Sequence, residues 1–313
     1  MKKLMVAACA VAAVAYATVA DEVDEPVVLS AGELEAVETN DEEEEGPFEA
    51  EVDVDLFTAY VDRNSVANDR PVAQPCVSAD WTFKDPFYIG FFIWQNYDLS
   101  NRRHEDMHAG LTETDYEVHV GGTIWSDEDE TVNLNVEFGM EWDVCHRFHR
   151  DAGYHTEMLM NVYAELENPL VTPYGKASYV YQPIDGMHYE LGLKKDIELG
   201  DTVTLGLDWN TSFGSGRFLS YLYDVGKGYY YDEEEDEEGF ARMLDGGIAA
   251  TTAKATLTWD VCDHFSVGGV IAYTALLNHS VRDAFMTADG WYWDGSDYPR
   301  SLVWGGIQFK LTF

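Results

Sequence analysis

The sequence predicts an all-β chain: an antiparallel up-and-down transmembrane β-barrel of about 12 strands, with a disordered acidic N-terminal tail. Three observations carry this reading. The last thirteen residues place an almost purely apolar set and a mostly polar or small set at alternate positions and end on Phe313. Strand-like segments of similar length follow one another, with connections that are alternately long and tight. The apolar run at the N-terminus is the longest in the chain, yet it falls short of the roughly 20 residues a spanning helix needs.

The C-terminal stretch shows the pattern most clearly. Phe313, Leu311, Phe309, Ile307, Gly305 and Val303 share one parity, and Thr312, Lys310, Gln308, Gly306 and Trp304 share the other. Successive side chains of a strand point to opposite faces, so one face is apolar and the other mostly polar or small. A terminal Phe preceded by apolar residues at every second position matches the closing strand of bacterial outer-membrane barrels. On that reading Phe309, Leu311 and Phe313 form a C-terminal assembly signal, read by the outer-membrane barrel assembly machinery.

At the other end, Met1-Lys2-Lys3 precedes an apolar run from Leu4 to about Tyr16. This is the layout of a secretory signal, with cleavage expected after Ala17 or Ala20, so residues 1–20 are assigned to a signal peptide. Cys9 follows Val6-Ala7-Ala8 and loosely fits a lipid-attachment box, but cleavage there would leave almost no apolar segment. Residues 21–50 form the acidic tail. From 21 to 51 the chain has fourteen Asp or Glu and no Lys or Arg, a composition that cannot bury enough apolar surface to fold alone. The tail reads as a solvated periplasmic spacer. The formal net charge of the whole chain is −39, which argues against nucleic acid as a partner.

Residues 51–313 form the barrel. Strands are expected near 51–60, 71–83, 86–97, 114–125, 131–144, 155–166, 170–182, 186–199, 201–213, 247–261, 263–276 and 301–313. The connections 61–70, 98–113, 145–154, 214–246 and 277–300 are long, and 183–185 is short. Those after even-numbered strands are tight, at Lys84-Asp85, Ser126–Glu130, Glu167–Pro169, Gly200 and Cys262. Long loops at one end and short turns at the other are the layout of an outer-membrane barrel. An even strand count places both barrel termini at the turn side, the periplasm.

A soluble sandwich would show the same alternation with its apolar face inside. Strand length and aromatic placement separate the two. The segments run roughly 10 to 15 residues, against about five or six in soluble sheets. Trp81, Phe83, Phe87, Trp259, Phe265 and Phe313 lie near the tight turns on the apolar face, and Tyr60, Trp142, Trp209, Phe213 and Tyr273 near the long loops. Two such belts suit two membrane–water interfaces, with outer-membrane lipid around them.

Short motifs carry a family resemblance. Arg70-Pro71-Val72-Ala73-Gln74-Pro75 leads into the strand ending near Trp81, and Trp94-Gln95-Asn96-Tyr97-Asp98-Leu99 closes the next. Further on come Thr156-Glu157, Leu170-Val171-Thr172-Pro173 and Tyr179-Val180-Tyr181. Together these resemble the TorF-like porin family of outer-membrane barrels, over roughly residues 50 to 313. The acidic tail and the acidic run in the fifth long loop depart from it. The resemblance implies a porin-like barrel and supplies no catalytic or binding residues.

The polar parity supplies the chemistry. Candidate pore-lining residues are Asp80, Asp115, Glu117, His119, Glu137, Glu141, Asp143, Glu157, Glu165, Lys176, Glu190, Lys194, Asp208, Lys254, Asp260 and Lys310, and Asp53, Asp55 and Asp196 share their parity. Unpaired charges cannot be packed dry, so this acid-rich face predicts a hydrated lumen with a negative field. Such a lumen serves passive diffusion of small hydrophilic solutes with a preference for cations. The alternative is a closed structural or interaction barrel whose lumen is plugged by ion pairs and loops.

Other chemistry finds weaker support. Cys145-His146-Arg147-Phe148-His149 with Asp151 and His155 gathers potential metal ligands in one loop, without the spacing of a defined zinc site. Tyr229-Tyr230-Tyr231 followed by Asp232–Glu238 lacks the glycine and terminal glutamate of a calcium-binding loop. Ser280, Ser301 and His279 have no recognisable triad arrangement around them. No cofactor is expected and no enzyme activity. Cys76, Cys145 and Cys262, an odd number after signal removal, predict no structural disulfide.

Overall fold

The computed structural model describes residues 48–100, 110–129, 131–146, 155–182, 184–222, 229–232, 237–240, 245–278 and 301–313. The expected signal peptide, nearly all of the expected acidic tail, His149, Asp151, His279 and Ser280 lie outside these residues.

Twelve antiparallel strands close into a barrel. They are β1 (Phe48–Phe57), β4 (Val72–Lys84), β5 (Phe87–Asp98), β6 (Gly110–Ser126), β7 (Asn133–Cys145), β8 (His155–Glu167), β9 (Thr172–Gln182), β10 (Gly186–Gly200), β11 (Val203–Gly214), β14 (Gly247–Cys262), β15 (Phe265–Leu276) and β16 (Ser301–Thr312). Each predicted strand is present within a few residues, because a period of two over ten or more positions has no competing interpretation. Neighbours in the chain are neighbours in the sheet, except that β1 closes the ring by pairing with both β4 and β16. At this seam Val52 faces Leu311 and Val54 faces Phe309. Phe313 donates its N–H to the Ala50 carbonyl at 2.9 Å and accepts from the Ala50 N–H at 3.3 Å. Closure leaves no open barrel edge, which is what a sheet needs where water cannot satisfy its backbone.

The tight turns sit at one end. In the turn after β6, the Asp127 carboxylate accepts from the N–H groups of Val132 (2.9 Å) and Thr131 (2.7 Å) and from the Thr131 hydroxyl (2.8 Å). These donors, that of Val132 foremost, hold its carboxyl below the ordinary aspartate range.

The outside of the barrel is apolar and exposed. Ile271 (61%), Val303 (65%) and Phe138 (55%) lie on it, with Trp81, Phe83 and Trp259 toward the turns and Trp209 and Tyr273 toward the loops. Tyr60 does not belong to the outer belt: it is only 9% exposed and turns inward. The three cysteines Cys76, Cys145 and Cys262 are free.

Two of the long connections fold back on the barrel instead of standing clear as loops. The first holds a hairpin of β2 (Tyr60–Asp62) and β3 (Ser65–Asn68). Its turn residues Arg63 and Asn64 have φ of 47° and 63°, the left-handed pair that matches the twist of a two-residue hairpin. The second holds a helix, α1 (Gly216–Leu222), and a further hairpin of β12 (Tyr229–Asp232) and β13 (Glu237–Phe240). Ser215 starts the helix: its Oγ accepts from the N–H of Phe218 at 3.3 Å and from that of Met187, on β10, at 3.0 Å. Phe218 and Leu219 are fully buried against Leu159, Val180, Ala249, Ala250 and Leu276. Gly214 permits the approach, since a Cβ there would meet Leu219 Cδ2 at 2.7 Å.

An exterior of this kind predicts a graded response to charge. Ile271→Arg, at the middle of β15, should cost about 2–4 kcal/mol in a bilayer, read by guanidinium unfolding of the protein refolded into lipid vesicles. Lysine at the inward Thr256 should cost far less.

Candidate functional site: a carboxylate-lined barrel interior

Strand parity brings the sequence-predicted residues together inside the barrel. They fall into three layers between the turn end and the loop end.

Nearest the turns, His119 lies between two carboxylates: Nε2 is 2.9 Å from Asp80 Oδ1, and Nδ1 is 3.5 Å from Glu117 Oε1. Room for this group comes from Gly90, directly opposite His119 on β5, where a Cβ would collide with both Asp80 and His119. Tyr88 donates to Glu137 at 2.9 Å. Asp260 shares the parity of Lys254 and lies exposed at the end of β14, and Lys310 pairs with Glu51 across the seam.

In the middle layer, Asn161 donates to Glu117 at 2.8 Å and to Glu141 at 2.5 Å. Glu141 also lies 3.9 Å from Lys176. Glu165 pairs with Lys194 and accepts from Tyr163 at 2.6 Å. Tyr174 reaches Asp208 at 2.9 Å and Glu190 at 3.4 Å, and Lys254 lies 3.6 Å from Asp208. Each of these four bases, Lys176, Lys194, Lys254 and Lys310, is thus held by a carboxylate.

The layer nearest the loops contains the residue that the sequence reading missed. Arg63, at the tip of the β2–β3 hairpin, donates to Asp143 at 2.5 Å and to Glu157 at 3.2 Å, and lies 3.5 Å from Asp62. Asp143 is on β7 and Glu157 on β8, three and four strands round the ring from β4. The hairpin therefore cuts across the interior. Burial alone would lower the guanidinium's pKa, but Asp62, Glu157 and Asp143 outweigh it and hold it well above the ordinary value. The Phe218 ring lies 6.0 Å from the same guanidinium, within cation–π range. Tyr60 donates to Glu113 at 2.8 Å and packs 5.5 Å from Trp94. Glu113, Asp115 and Asp143 form an all-oxygen cluster, one oxygen of each within 4.8 Å of the others.

Beneath the hairpin, Val61, Arg63, Asn64, Glu190, Asp208, Asn210, Thr252, Lys254 and Trp304 line a polar cavity of about 200 Å³. That is room for several waters. The interior thus holds a polar cavity in the middle and is narrowed toward the loops by the hairpin and by α1.

Of the other sequence candidates, His146 bonds to Thr114 through Nε2 at 2.9 Å, and Ser301 opens β16. The hairpin left only a faint trace in the sequence. Asn64 favours left-handed backbone, but Arg63 does not, and the surrounding residues read as a polar loop.

No family model matches the chain, and no curated protein matches it. Solved structures do. An outer-membrane channel from Pseudomonas putida F1 aligns with a TM-score of 0.51 at 9% identity, over 89% of this chain and 100% of that one. The NanC porin (TM-score 0.43, 8% identity, 84% of this chain and 98% of that one) and the outer membrane phospholipase A of Escherichia coli (0.42, 13%, 84% and 92%) are others. At 9% identity the first likeness is one of fold, and the lower scores carry no argument.

The Arg63 contacts predict a testable coupling. Arg63→Met leaves Asp143 and Glu157 without their cation, and breaking one side of a buried ion pair costs about 3–5 kcal/mol. Hydrogen exchange should show residues 60–68 losing protection, and Asp143→Asn in the same protein should recover part of the loss.

Proposed function

We propose that this chain is an outer-membrane channel with a carboxylate-lined lumen, narrowed at its loop end by the β2–β3 hairpin and α1. It passes small hydrophilic solutes and prefers cations. The observation that carries this reading is the charge balance inside. Arg63, Lys176, Lys194, Lys254 and Lys310 are all engaged by carboxylates. The buried oxygens Asp115 Oδ1 and Asp143 Oδ1 have no hydrogen-bond partner, and a polar cavity extends from Arg63 to Asp208. An interior of this charge needs water and mobile cations to be stable. The fold shared with the Pseudomonas putida channel supports the same reading, as does the resemblance to TorF-like porins.

In this reading residues 1–20 direct export, and residues 21–50 extend into the periplasm from the turn end. Phe309, Leu311 and Phe313 present the closing strand to the barrel assembly machinery.

A second reading, a closed structural barrel, is favoured by one observation: the fully buried Phe218 and Leu219 form an apolar layer at the loop end. Conductance in planar bilayers separates the two. The channel reading expects small openings from the intact protein, and larger ones when residues 60–68 are replaced by a short turn. Silence from both, in protein shown to be folded by heat-modifiable migration, would overturn the channel and leave the closed barrel.

A further inference from the structure

We infer that Glu113, Asp115 and Asp143 form a calcium site inside the barrel, beneath the β2–β3 hairpin. The inference stands on coordination chemistry and not on the channel reading. Asp115 and Asp143 face each other across the β6–β7 ladder, and Glu113 lies two residues along the same face. One carboxylate oxygen of each lies within 4.8 Å of the other two. Calcium binds oxygens at about 2.3–2.6 Å, so two ligands of one ion lie up to about 5 Å apart. The three ligands are all hard oxygens, as calcium prefers, and none is a ring nitrogen or thiolate.

Proximity of carboxylates alone would mean little on a chain this acidic. The second observation is that Asp143 is buried, Glu113 and Asp115 are half-buried, and the cluster is incompletely satisfied. Asp143 is 1% exposed, and its Oδ1 has no hydrogen-bond partner although its Oδ2 is held by Arg63. Asp115 Oδ1 is likewise buried without a partner. Buried polar atoms are nearly always paired, and a native exception points to a missing water or ion. Among the described residues, the one base that touches the cluster, Arg63, also pairs with Glu157 and Asp62. Carboxyl groups therefore outnumber bases here by more than one, an excess that a divalent cation would balance.

The cluster differs from the other acidic group in the barrel, Glu117, His119 and Glu137. There the imidazole already lies between Asp80 and Glu117, and a ring nitrogen takes the place of one carboxylate oxygen. At the Glu113 cluster, calcium would link β6 to β7 directly and reach the hairpin through the Tyr60 hydroxyl on Glu113. Its occupancy would therefore act on the same hairpin that Arg63 anchors.

Two aromatic side chains make the site directly readable. Tyr60 bonds to Glu113, and Trp94 stands opposite Asp115 in the β5–β6 ladder. Terbium bound at the cluster should show luminescence excited through them. With the full-length protein folded in detergent, terbium titration should reveal one saturable sensitised site that calcium displaces, above the weak background of the tail and loops. Asp115→Asn should weaken that site by about tenfold or more, because affinity follows ligand charge. Asp208→Asn, elsewhere in the lumen, should leave it intact. Calorimetry with calcium alone should lose the same single site in Asp115→Asn and Glu113→Gln. Sensitised luminescence that is absent, or equal in wild type and both cluster variants, would overturn the site and mean that protons neutralise these carboxyls.

Discussion

Charge that strand parity forces inside the barrel is the constraint on which the rest of this structure depends. Every second residue of a closed sheet points inward, and here many of those residues are aspartate or glutamate. Dry burial of one unpaired carboxylate costs several kcal/mol, which a fold of ordinary stability cannot bear many times over. The interior answers in three ways. Lysines pair across strands, as Lys194 does with Glu165. Neutral donors fill in where bases run out, with Asn161 serving Glu117 and Glu141 together. Arg63 arrives from outside the wall altogether, at the tip of a hairpin.

That hairpin links electrostatics to pore shape. A cation on a strand would neutralise its neighbours without obstructing anything. Arg63 can reach Asp143 and Glu157 only by carrying the chain across the interior, so neutralising the loop-end layer also narrows it. The left-handed backbone at Arg63 costs of order 1–3 kcal/mol for a residue other than glycine. The contacts to Asp143, Glu157 and Asp62 offset that cost. Helix α1 narrows the loop end by a different principle: Phe218 and Leu219 add apolar burial against Leu159 and Val180.

The strands were legible in the sequence because their pattern repeats over many residues and nothing competes with it. Val132 to Val144 could be read face by face, and β7 is found there. The inserts were not legible, for physical reasons. The hairpin is short, and its register is set by contacts to β6, β7 and β8 far along the chain. Helix α1 had a usable signal in Ser215 as cap and in the spacing of Phe218, Leu219 and Leu222, but seven residues are too few for periodicity to stand out. Tyr60 shows the limit of parity near a strand end. Its parity places it on the outer belt if β1 continues past Phe57, whereas the chain turns inward there. The inward carboxylates were identifiable one by one, whereas their partners depended on register and on Arg63.

The most direct test of this account is the reversal potential of the protein lacking residues 60–68, measured across a planar bilayer under a salt gradient. Removing the hairpin takes away Arg63, its tip cation, and leaves the strand carboxylates in place. The account predicts a potential of the sign for cation selectivity, diminished when Asp143 and Glu157 are changed to amides. An anion-selective potential, or one indifferent to those two carboxylates, would contradict it.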